Sequence, residues 1–424
     1  MRSSLTLDQP QSEQHRGAPF AALPLVCENC GSRFEPEPTA ICLTCLGPLV
    51  PAYDPTRSLP DRQEIARRAP SLWRYREWLP FDGQTTLSPD SGFTPLVEAP
   101  ALARRLGVAR AWIKNDAVSH PTLSFKDRVV STAINAARAF GLDVIGCAST
   151  GNLANAVAAH AARAGLDAWI FIPHDLEPAK VLATAVFGPK LVRVRGTYDD
   201  VNRLCAQVAD SFGWGLVNVN LRAYYGEGSK TMAFEIVEQL GWRVPTAIVA
   251  PMAGGALVTK IHRGLREFSA GGLFDGPLPR LYGAQASGCA PIVRLVERGQ
   301  GRITPEIPAT IARSLAIGNP ADGLTAARGI AETGGWAAAV TDAELIDGIR
   351  LLAETTGVFA ETAGGVTTAA AVQLANDGRL GPNDEVVLCI TGNGLKTLDP
   401  LVEALPSAPI IPPKLSAVAA LARS

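Results

Sequence analysis

From Phe93 onward the sequence alternates between short apolar segments and longer segments that carry small and apolar residues at helical spacing. The apolar segment 144–148, for example, has the length of a buried strand, and the helical pattern at 155–164 that follows it ends at Gly165. Strands that alternate with helices in this way form parallel sheets covered by helices, and binding sites lie at the carboxyl ends of the strands. The alternation therefore predicts an α/β fold.

The same pattern gives the expected order of the elements. Strands are predicted at 111–114, 144–148, 168–172, 191–194, 246–250, 281–284 and 385–390. Helices are predicted at 128–140, 155–164, 198–212, 232–239, 257–268, 342–355 and 366–376. The segment 51–92 is rich in Pro, Asp and Arg, so we expect it to be mostly connection, with one short helix near 61–69.

The length and the charge limit the classes of protein to consider. The chain has 424 residues and a mass of 44.5 kDa, which is more than one hydrophobic core usually holds, so we expect two globular lobes with small appendages. The 39 Lys and Arg residues nearly balance the 40 Asp and Glu residues. This balance gives no long-range field, so the sequence predicts neither a nucleic-acid partner nor a membrane partner.

The expected location is the cytoplasm. Residues 1–17 are polar and lack the apolar region of a secretory signal, so we expect a loose tail there. No apolar run in the sequence reaches the length of a membrane span. Four of the eight cysteines are clustered, and the other four stand singly in apolar segments at positions 147, 205, 289 and 389. This distribution argues against a disulfide framework and for a reducing compartment.

The clustered cysteines form two CxxC pairs that are separated by eleven residues, namely Cys27, Cys30, Cys42 and Cys45. Four thiolates at this spacing match a small zinc ribbon, in which all four bind one ion in tetrahedral geometry and leave no open position for catalysis. A redox-active CxxC pair is one alternative. A module that keeps the thiols without a metal is the other.

Lys126 stands in the run SFKDR at 124–128, at the start of a predicted helix. Burial and the positive end of the helix dipole both favour a neutral amine at such a position. A neutral amine is what Schiff-base formation with a carbonyl cofactor and later proton abstraction require. The alternative is a surface lysine that forms a salt bridge with Asp127.

Three further loops follow predicted strands. The loop 149–152 (STGN) offers hydroxyls, an amide and helix N-terminal N–H groups to a substrate carboxylate, or it is a plain helix N-cap. The loop 252–257 (MAGGAL) lets successive N–H groups approach a phosphate, although many such loops are only tight turns. The loop 391–396 (TGNGLK) presents the hydroxyl of Thr391 at a strand end. None of the three fits a Walker A or GxGxxG pattern, but with Lys126 they describe one site for a phosphate, a carboxylate and a reactive lysine.

Six ordered blocks carry a resemblance to a known family. They are 124–128 (SFKDR), 149–152 (STGN), 227–236 (EGSKTMAFEI), 310–320 (TIARSLAIGNP), 361–365 (ETAGG) and 391–396 (TGNGLK). In these blocks the chain resembles the threonine synthase family, within the fold type II (tryptophan-synthase-β-like) enzymes that use pyridoxal 5′-phosphate (PLP). The resemblance extends from the cysteine module to about residue 398, and it is strongest for the variant that carries a short cysteine-rich N-terminal module.

The resemblance implies an α/β fold of type II: two three-layer α/β/α lobes with the active site between them, plus a small N-terminal four-cysteine ribbon. The implied divisions are a flexible tail at 1–22, a zinc-ribbon-like module at 23–52, a large PLP-binding lobe at 53–125 and 225–405, a small lobe at 126–224, and a C-terminal tail at 406–424. A homodimer is the habit of the family and is expected here.

The resemblance also implies roles for individual residues. Lys126 is implied to form the Schiff base with PLP, and Phe125 to pack on the cofactor ring. Asn152 is implied to bind the phenolic oxygen of the ring, and Thr391 its pyridine nitrogen. A hydroxyl partner leaves that nitrogen close to neutral, which suits elimination chemistry better than transamination. The N–H groups implied to bind the cofactor phosphate are those of Gly254, Gly255, Ala256 and Leu257.

Two departures from the family pattern affect binding. The family usually has Thr after the loop asparagine, whereas this chain has Leu153, so the substrate carboxylate is expected to depend on Ser149 and Thr150. The phosphate loop of the family is often written with asparagines, whereas this chain has only small and apolar residues at 253–257. The cofactor phosphate is therefore expected to be bound by backbone N–H groups.

The implied reaction converts O-phospho-L-homoserine and water to L-threonine and phosphate. Lys126, once displaced from PLP by the substrate amine, removes the Cα proton; a Cβ proton then leaves, phosphate departs from Cγ, and water adds at Cβ. The leaving phosphate needs cations or N–H donors beside it. Arg222 and Lys230 are the candidates, with Lys396 behind them, and the alternative for each is a solvated surface charge.

Two other functions are compatible with the sequence. Another fold type II PLP enzyme, such as a threonine or serine dehydratase or a cysteate-synthase-like β-replacement enzyme, would use the same loops on a different amino acid. A zinc-ribbon binding protein with an inactive PLP fold is the third possibility. A visible cofactor absorption band that is lost in Lys126→Ala would exclude it.

Overall fold

A computed structural model describes residues 20–82, 87–149, 151–174, 178–196, 198–402, 404–405 and 408–423. Thr150, one of the predicted substrate-binding residues, lies outside the described residues. The strands, β1 to β15 in chain order, are Ala21–Ala22, Leu25–Cys27, Arg33–Phe34, Leu49–Pro51, Phe81–Asp82, Leu96–Glu98, Arg110–Asn115, Val144–Ala148, Asp167–Pro173, Lys190–Val194, Gly215–Leu216, Ala247–Pro251, Arg280–Ala286, Trp336–Val340 and Glu385–Ile390.

The helices alternate with these strands as the sequence predicts. The α-helices, α1 to α15 in chain order, are Arg62–Arg67, Pro100–Leu106, Lys126–Ala139, Asn152–Ala164, Pro178–Ala185, Tyr198–Phe212, Arg222–Tyr225, Lys230–Gln239, Ala256–Ala270, Pro291–Arg298, Gly323–Glu332, Asp342–Thr356, Thr362–Asn376, Asp399–Val402 and Leu415–Leu421. Short 3-10 helices lie at Leu72–Trp78, Asp116–Val118, Gly226–Ser229, Arg313–Leu315 and Gly394–Lys396. In the part of the chain that is described, no helix has the length and apolar character needed to cross a membrane.

The chain divides into two compact units. The first holds the described residues up to Phe93 together with Ser119–Trp242 and Arg263–Asp275. The second holds Thr94–Val118, Arg243–His262 and the described residues from Gly276 onward. The lobe divisions implied by the resemblance differ from these units, since they assign 53–93 to the large lobe, and they stay a prediction.

The first unit is built around a parallel sheet with the strand order β10-β9-β8-β11. Helices α3 and α4 carry small and apolar residues that pack into one core together with this sheet. The same core includes Leu25 and Leu49 of a three-stranded antiparallel sheet, β3-β2-β4, which belongs to the cysteine module. The module is therefore packed against the rest of the first unit by ordinary apolar burial.

The second unit contains a six-stranded sheet with the order β14-β13-β12-β15-β7-β6. All neighbouring strands are parallel except β6 and β7, which pair antiparallel. Helices α12 and α13 approach each other so closely that a side chain on Gly348 would collide with the backbone of Gly365. Glycine at this position permits the close packing. The predicted parallel sheets are confirmed in both units.

The short helix expected near 61–69 is found at Arg62–Arg67, but the connection expected after it contains a second helical segment that packs into the core. The 3-10 helix Leu72–Trp78 buries Leu72, Tyr75 and Trp78 completely or nearly so. The ring centre of Trp78 lies 5.0 Å from that of Phe268, on α9. The anchors recur every third residue, which is the period of a 3-10 helix, but the segment is too short and too rich in polar residues for this pattern to stand out.

The prediction also missed several regular elements. They include the helices Pro100–Leu106, Pro178–Ala185, Pro291–Arg298 and Gly323–Glu332 and the strand Trp336–Val340. Three of these helices begin with proline, which fits the first turn of a helix because the missing N–H would have no partner there. That signal was available in the sequence.

Candidate active site

Lys126 is the first residue of α3, and Phe125 is its N-cap residue. The side chain is half-buried. Its ammonium nitrogen Nζ donates a hydrogen bond to the hydroxyl of Tyr225 at 3.0 Å. Nζ also lies 4.8 Å from the ring centre of Phe125 and 5.7 Å from that of Tyr225. The predicted reactive lysine therefore sits between two aromatic rings at a helix N-terminus, and its hydrogen-bond partner here is neutral.

Tyr225 was not among the predicted site residues. It ends the short helix α7, directly before the GEGSK segment at 226–230. The hydroxyl of Thr132, on α3, donates to the backbone carbonyl of Tyr225 at 3.0 Å. One turn further along, Gly228 packs so closely on α3 that a Cβ atom there would lie 2.6 Å from the carbonyl oxygen of Arg128. The helix that presents Lys126 thus also holds the segment that presents Tyr225.

Asp127 does not pair with Lys126, which was the alternative considered for that lysine. Its buried carboxylate accepts hydrogen bonds from the N–H and the hydroxyl of Thr122, at 3.0 and 2.7 Å. The ring nitrogen Nε2 of His160, on α4, lies 3.2 Å from the same carboxylate, and Nδ1 lies 2.6 Å from the hydroxyl of Ser88. This buried network ties the loop before Lys126 to the first turn of α3 and to α4.

The loop after β8 carries three of the predicted site residues, of which Ser149 and Asn152 are described. Ser149 is buried, and its hydroxyl accepts a hydrogen bond from the N–H of Gly151 at 3.3 Å. Gly151 is the N-cap residue of α4, and Asn152 is the first residue of the helix. The N-cap position is occupied by glycine and no side chain caps the helix. The loop is therefore not the plain side-chain N-cap that was the alternative.

In the second unit the predicted phosphate loop joins β12 to α9. Gly255 has a φ of +90°, and a Cβ atom there would lie 2.9 Å from the carbonyl oxygen of Asp322. The N–H of Asp322 donates to the carbonyl of Gly254 at 3.0 Å. Ala256 and Leu257 are the first two residues of α9. The loop therefore needs glycine at 255, and it ends at the N-terminus of a long helix, where N–H groups favour an anion.

Thr391 follows β15 directly and is buried. The next residue, Gly392, accepts the N–H of Glu361 at 3.0 Å through its carbonyl. The carboxylate of Glu361 packs against Gly392 so closely that a side chain there would collide with it. Glu361 is 4% exposed, so a buried carboxylate lies beside the loop that the resemblance assigns to the pyridine nitrogen.

The two predicted phosphate-binding cations have different surroundings. Arg222 begins α7 and is half-buried. Lys230 is 0% exposed, and its Nζ lies 2.7 Å from the carboxylate of Glu227 and 2.8 Å from that of Glu267. Burial lowers the pKa of Lys230, against the opposite effect of the two carboxylates. The ammonium of Lys230 is thus bound to protein carboxylates, which does not support its predicted role with a substrate phosphate.

The four cysteines of the N-terminal module come together. Their sulfur atoms all lie within 4.8 Å of one another, with Cys27 and Cys45 at 3.4 Å and Cys30 and Cys42 at 3.7 Å. Four sulfurs at about 2.3 Å from a tetrahedral zinc ion are about 3.8 Å apart. The N–H of Thr44 points at the sulfur of Cys42 at 3.4 Å. The cluster is therefore compatible with a closed, structural zinc site.

Comparison with known proteins gives the class. Residues 87–392 match the family described as pyridoxal-phosphate dependent enzyme. The chain belongs to this family, and PLP is its cofactor. The surroundings of Lys126 fit such a group, because the buried hydroxyl of Ser124, two residues away, has no hydrogen-bond partner among the described residues. A buried polar group without a partner is unusual in a protein unless a bound molecule completes it.

Two relatives narrow the class further, and a solved structure shares the fold. The chain is 34% identical to a threonine synthase of Methanocaldococcus jannaschii over 383 residues, which cover 89% of this chain and 94% of that protein. It is 33% identical to a threonine synthase of Methanosarcina acetivorans over 398 residues, which cover 93% of this chain and 97% of that protein. A fungal L-serine ammonia-lyase from Rhizomucor miehei shares the fold, with a TM-score of 0.63 and 24% identity over 74% of this chain and 98% of that chain.

Proposed function

We propose that this protein is a threonine synthase, a PLP-dependent carbon–oxygen lyase that converts O-phospho-L-homoserine and water to L-threonine and phosphate by γ-elimination and β-addition. The observation that carries the proposal is Lys126, held half-buried at a helix N-terminus with a neutral hydrogen-bond partner inside the matched region 87–392. The near full-length similarity to relatives that bear this name supports the choice of reaction.

We assign the cofactor to the residues that the resemblance implies. Lys126 would form the covalent link to PLP, with Phe125 against the ring and Asn152 at its phenolic oxygen. Thr391 would meet the pyridine nitrogen. The backbone N–H groups assigned to the cofactor phosphate are those of Gly254, Gly255, Ala256 and Leu257. When bound, PLP supplies the electron sink that stabilises negative charge on the substrate carbons.

The chain's own groups then move protons and orient the substrate. The Lys126 amine would take the proton from Cα of the substrate and, after passing that proton on, one from Cβ. Ser149 and Thr150 would hold the substrate carboxylate at the N-terminus of α4, where the helix dipole favours an anion. Fixing the carboxylate fixes the direction in which the Cα–H bond points.

We assign the substrate phosphate to Arg222 rather than to Lys230. A guanidinium binds a phosphate with paired N–H donors and always carries its charge. The Lys230 ammonium is fully buried and lies between Glu227 and Glu267, so binding a phosphate would require it to give up its ion pairs with both carboxylates. Lys396, which is half-buried beside the Thr391 loop, is the second candidate.

The decisive experiment measures phosphate release from O-phospho-L-homoserine, with L-threonine and L-serine as controls. A threonine synthase releases phosphate and forms L-threonine from the first substrate. If the protein instead forms keto acids from threonine or serine and releases no phosphate, it is a dehydratase and the proposal fails. Sulfite and O-phosphoserine test β-replacement in the same assay.

We further propose that Cys27, Cys30, Cys42 and Cys45 bind one structural Zn²⁺. Elemental analysis of the purified protein should give about one zinc per chain, and Cys42→Ser should lose it. Cys147→Ser is the control, because Cys147 is buried in β8 and distant in sequence from the cluster. Protein that is stable, active and free of zinc would contradict this proposal.

The remaining proposals concern assembly and location. We propose a cytoplasmic homodimer that acts on a small amino-acid substrate, with the lobe divisions implied by the resemblance. Light scattering should give twice the chain mass of 44.5 kDa. A mass equal to one chain at micromolar concentration would rule out the dimer.

A further inference from the structure

We propose that the hydroxyl of Tyr225 is a catalytic group that receives protons from the Lys126 amine and passes them to the departing phosphate. The proposal deepens the proposed function and rests on it, because it requires Lys126 to move protons on a phosphorylated substrate. The need for such a group follows from the reaction. A phosphate monoester dianion leaves well only when its bridging oxygen gains a proton, and a lysine that has taken the Cα proton must lose it before it takes another.

The contact between the two groups is direct. Nζ of Lys126 lies 3.0 Å from Oη of Tyr225, within the range of a proton-transferring hydrogen bond. A hydroxyl both donates and accepts, so it can donate to the neutral amine and accept from the ammonium. A carboxylate at this position would instead hold the lysine in its charged form.

Tyr225 is held at this position by backbone contacts on both sides. The Thr132 hydroxyl donates to the Tyr225 carbonyl at 3.0 Å, and the Tyr225 N–H donates to the carbonyl of Leu221 at 2.9 Å. The following residues are pressed against α3 at Gly228. Because α3 also begins with Lys126, the amine and the hydroxyl share one rigid support, which keeps their distance constant.

The position of Arg222 indicates where the phosphate that accepts the proton would be bound. It lies three residues before Tyr225 in the same helix, α7, and residues three apart project from the same side of a helix. A cation that binds the substrate phosphate and an acid that protonates it would therefore be presented from one helix.

The proposed step balances without any further reactant. The Cα–H bond breaks first, and its proton, taken by Lys126, passes through the Tyr225 hydroxyl to a non-bridging oxygen of the phosphate. The Cβ–H bond then breaks and its proton forms an N–H bond on Lys126. An N–H proton of Lys126 then passes to Oη of Tyr225 while the hydroxyl proton of Tyr225 passes to the bridging oxygen of the phosphate. The Cγ–O bond breaks, its electron pair stays on the phosphate, and the phosphate leaves with both relayed protons as a monoanion. Tyr225 ends neutral, as it began.

The neighbouring tyrosine provides a matched control. Tyr224 is 0% exposed, and its hydroxyl donates to the backbone carbonyl of Leu23 at 2.9 Å. Burial is the main cause that raises the pKa of Tyr224 above its ordinary value. Tyr224→Phe and Tyr225→Phe each remove one hydroxyl from adjacent positions, but only the second removes a partner of Lys126.

The experiment compares PLP-loaded wild-type protein, Tyr225→Phe and Tyr224→Phe. In Tyr225→Phe, kcat for phosphate release should fall by about 100-fold or more, the range of general acid–base catalysis, with little change in KM. Without substrate, the pH midpoint of the visible absorption band of the Lys126-linked cofactor should shift by about 0.5 pH unit or more, because a hydrogen-bond partner of the lysine is lost. Tyr224→Phe should change neither quantity.

Three results would overturn the proposal. The first is a Tyr225→Phe variant with wild-type kcat. The second is a loss of kcat with an unmoved midpoint, which would place the hydroxyl away from the amine. The third is an equal loss in both variants, which would indicate a general disturbance of α7. If wild-type protein releases no phosphate at all, the proposed function fails, while the absorbance titration still tests the contact between Tyr225 and Lys126.

Discussion

Lys126 and Lys230 lie in the same compact unit, and each is the first residue of a helix. Their surroundings are nevertheless opposite. Lys126 is half-buried and donates to the neutral hydroxyl of Tyr225. Lys230 is completely buried, with Glu227 and Glu267 at 2.7 and 2.8 Å.

The difference shows that burial and a helix N-terminus do not by themselves mark a reactive lysine. At Lys230, burial disfavours the ammonium and lowers its pKa. Two carboxylates offset that cost and bind the Lys230 ammonium within the folded structure. At Lys126 the partner is neutral, so the amine can exchange its protons. The charge of the hydrogen-bond partner therefore distinguishes a lysine that can take part in a reaction from one that stabilises the fold.

The largest effect is expected for Lys126→Ala. Without the amine the covalent link to PLP cannot form, so the visible cofactor band should disappear and activity should fall by at least about 1,000-fold. Lys126→Arg should behave alike, because a guanidinium keeps the charge but does not act as the amine. Absorbance spectra and phosphate release measure both. Lys190→Ala, at an exposed ion pair with Asp167, should keep the band, and a band retained in Lys126→Ala would break the comparison.

The next largest effect concerns stability. Lys230→Met leaves the buried Glu227 carboxylate without its cation, which should reduce the free energy of unfolding by about 3–5 kcal/mol. Urea unfolding measures this loss, and the double variant Lys230→Met/Glu227→Gln should recover part of it. Lys190→Met removes an exposed pair and should cost less than about 1 kcal/mol. Equal losses in Lys230→Met and Lys190→Met would show that burial does not distinguish the two pairs.

A smaller effect is expected for Tyr53→Phe. The Tyr53 hydroxyl donates to Glu227 at 2.6 Å and receives a hydrogen bond from Lys230 at 3.1 Å. Its loss should reduce the free energy of unfolding by about 1.5–3 kcal/mol, the range for hydrogen bonds to charged groups, and leave kcat unchanged. This is the reverse of the expectation for Tyr225→Phe. A kcat loss in folded Tyr53→Phe protein would tie the Lys230 cluster to catalysis.

The smallest effect depends on pH. Burial raises the pKa of Glu77, but hydrogen bonds from Arg68 outweigh it and hold that pKa below its ordinary value of 4.5. A carboxyl whose folded-state pKa is depressed contributes stability above its unfolded value and loses it as the pH falls through the folded value. Glu77→Gln should therefore cost about 1 kcal/mol at pH 7. The difference from wild type should shrink below pH 4.5 in urea unfolding, and a difference that is constant from pH 7 to pH 3 would contradict this.

The sequence predicted most of the regular structure where periodicity is local. The strands Val144–Ala148 and Glu385–Ile390 and the helix Tyr198–Phe212 coincide with their predictions from end to end. The segment around Leu72–Trp78 was misjudged, because its three buried anchors become visible as core only when Phe268 and its neighbours pack on them. Tertiary packing overrides weak local patterns of this kind.

The candidate site was predictable as a set of loops but not as a set of contacts. Lys126 and the four cysteines are recognisable because the chemistry they serve requires those residue types at those spacings. Tyr225 stands 99 positions from Lys126, and His160 stands 33 positions from Asp127. No periodic pattern links residues so far apart, so the sequence offered no signal that they touch.

The sequence by itself determined the α/β alternation, the clustering of four cysteines and the family of the chain. Each of these depends on residue types at short spacings. The tertiary structure decided which of two similar lysines is free for chemistry. It placed a hydroxyl beside Lys126 and two carboxylates beside Lys230. The physical reason is that the state of a buried amine depends on the charge within a few ångströms of it, and folding alone brings that charge there.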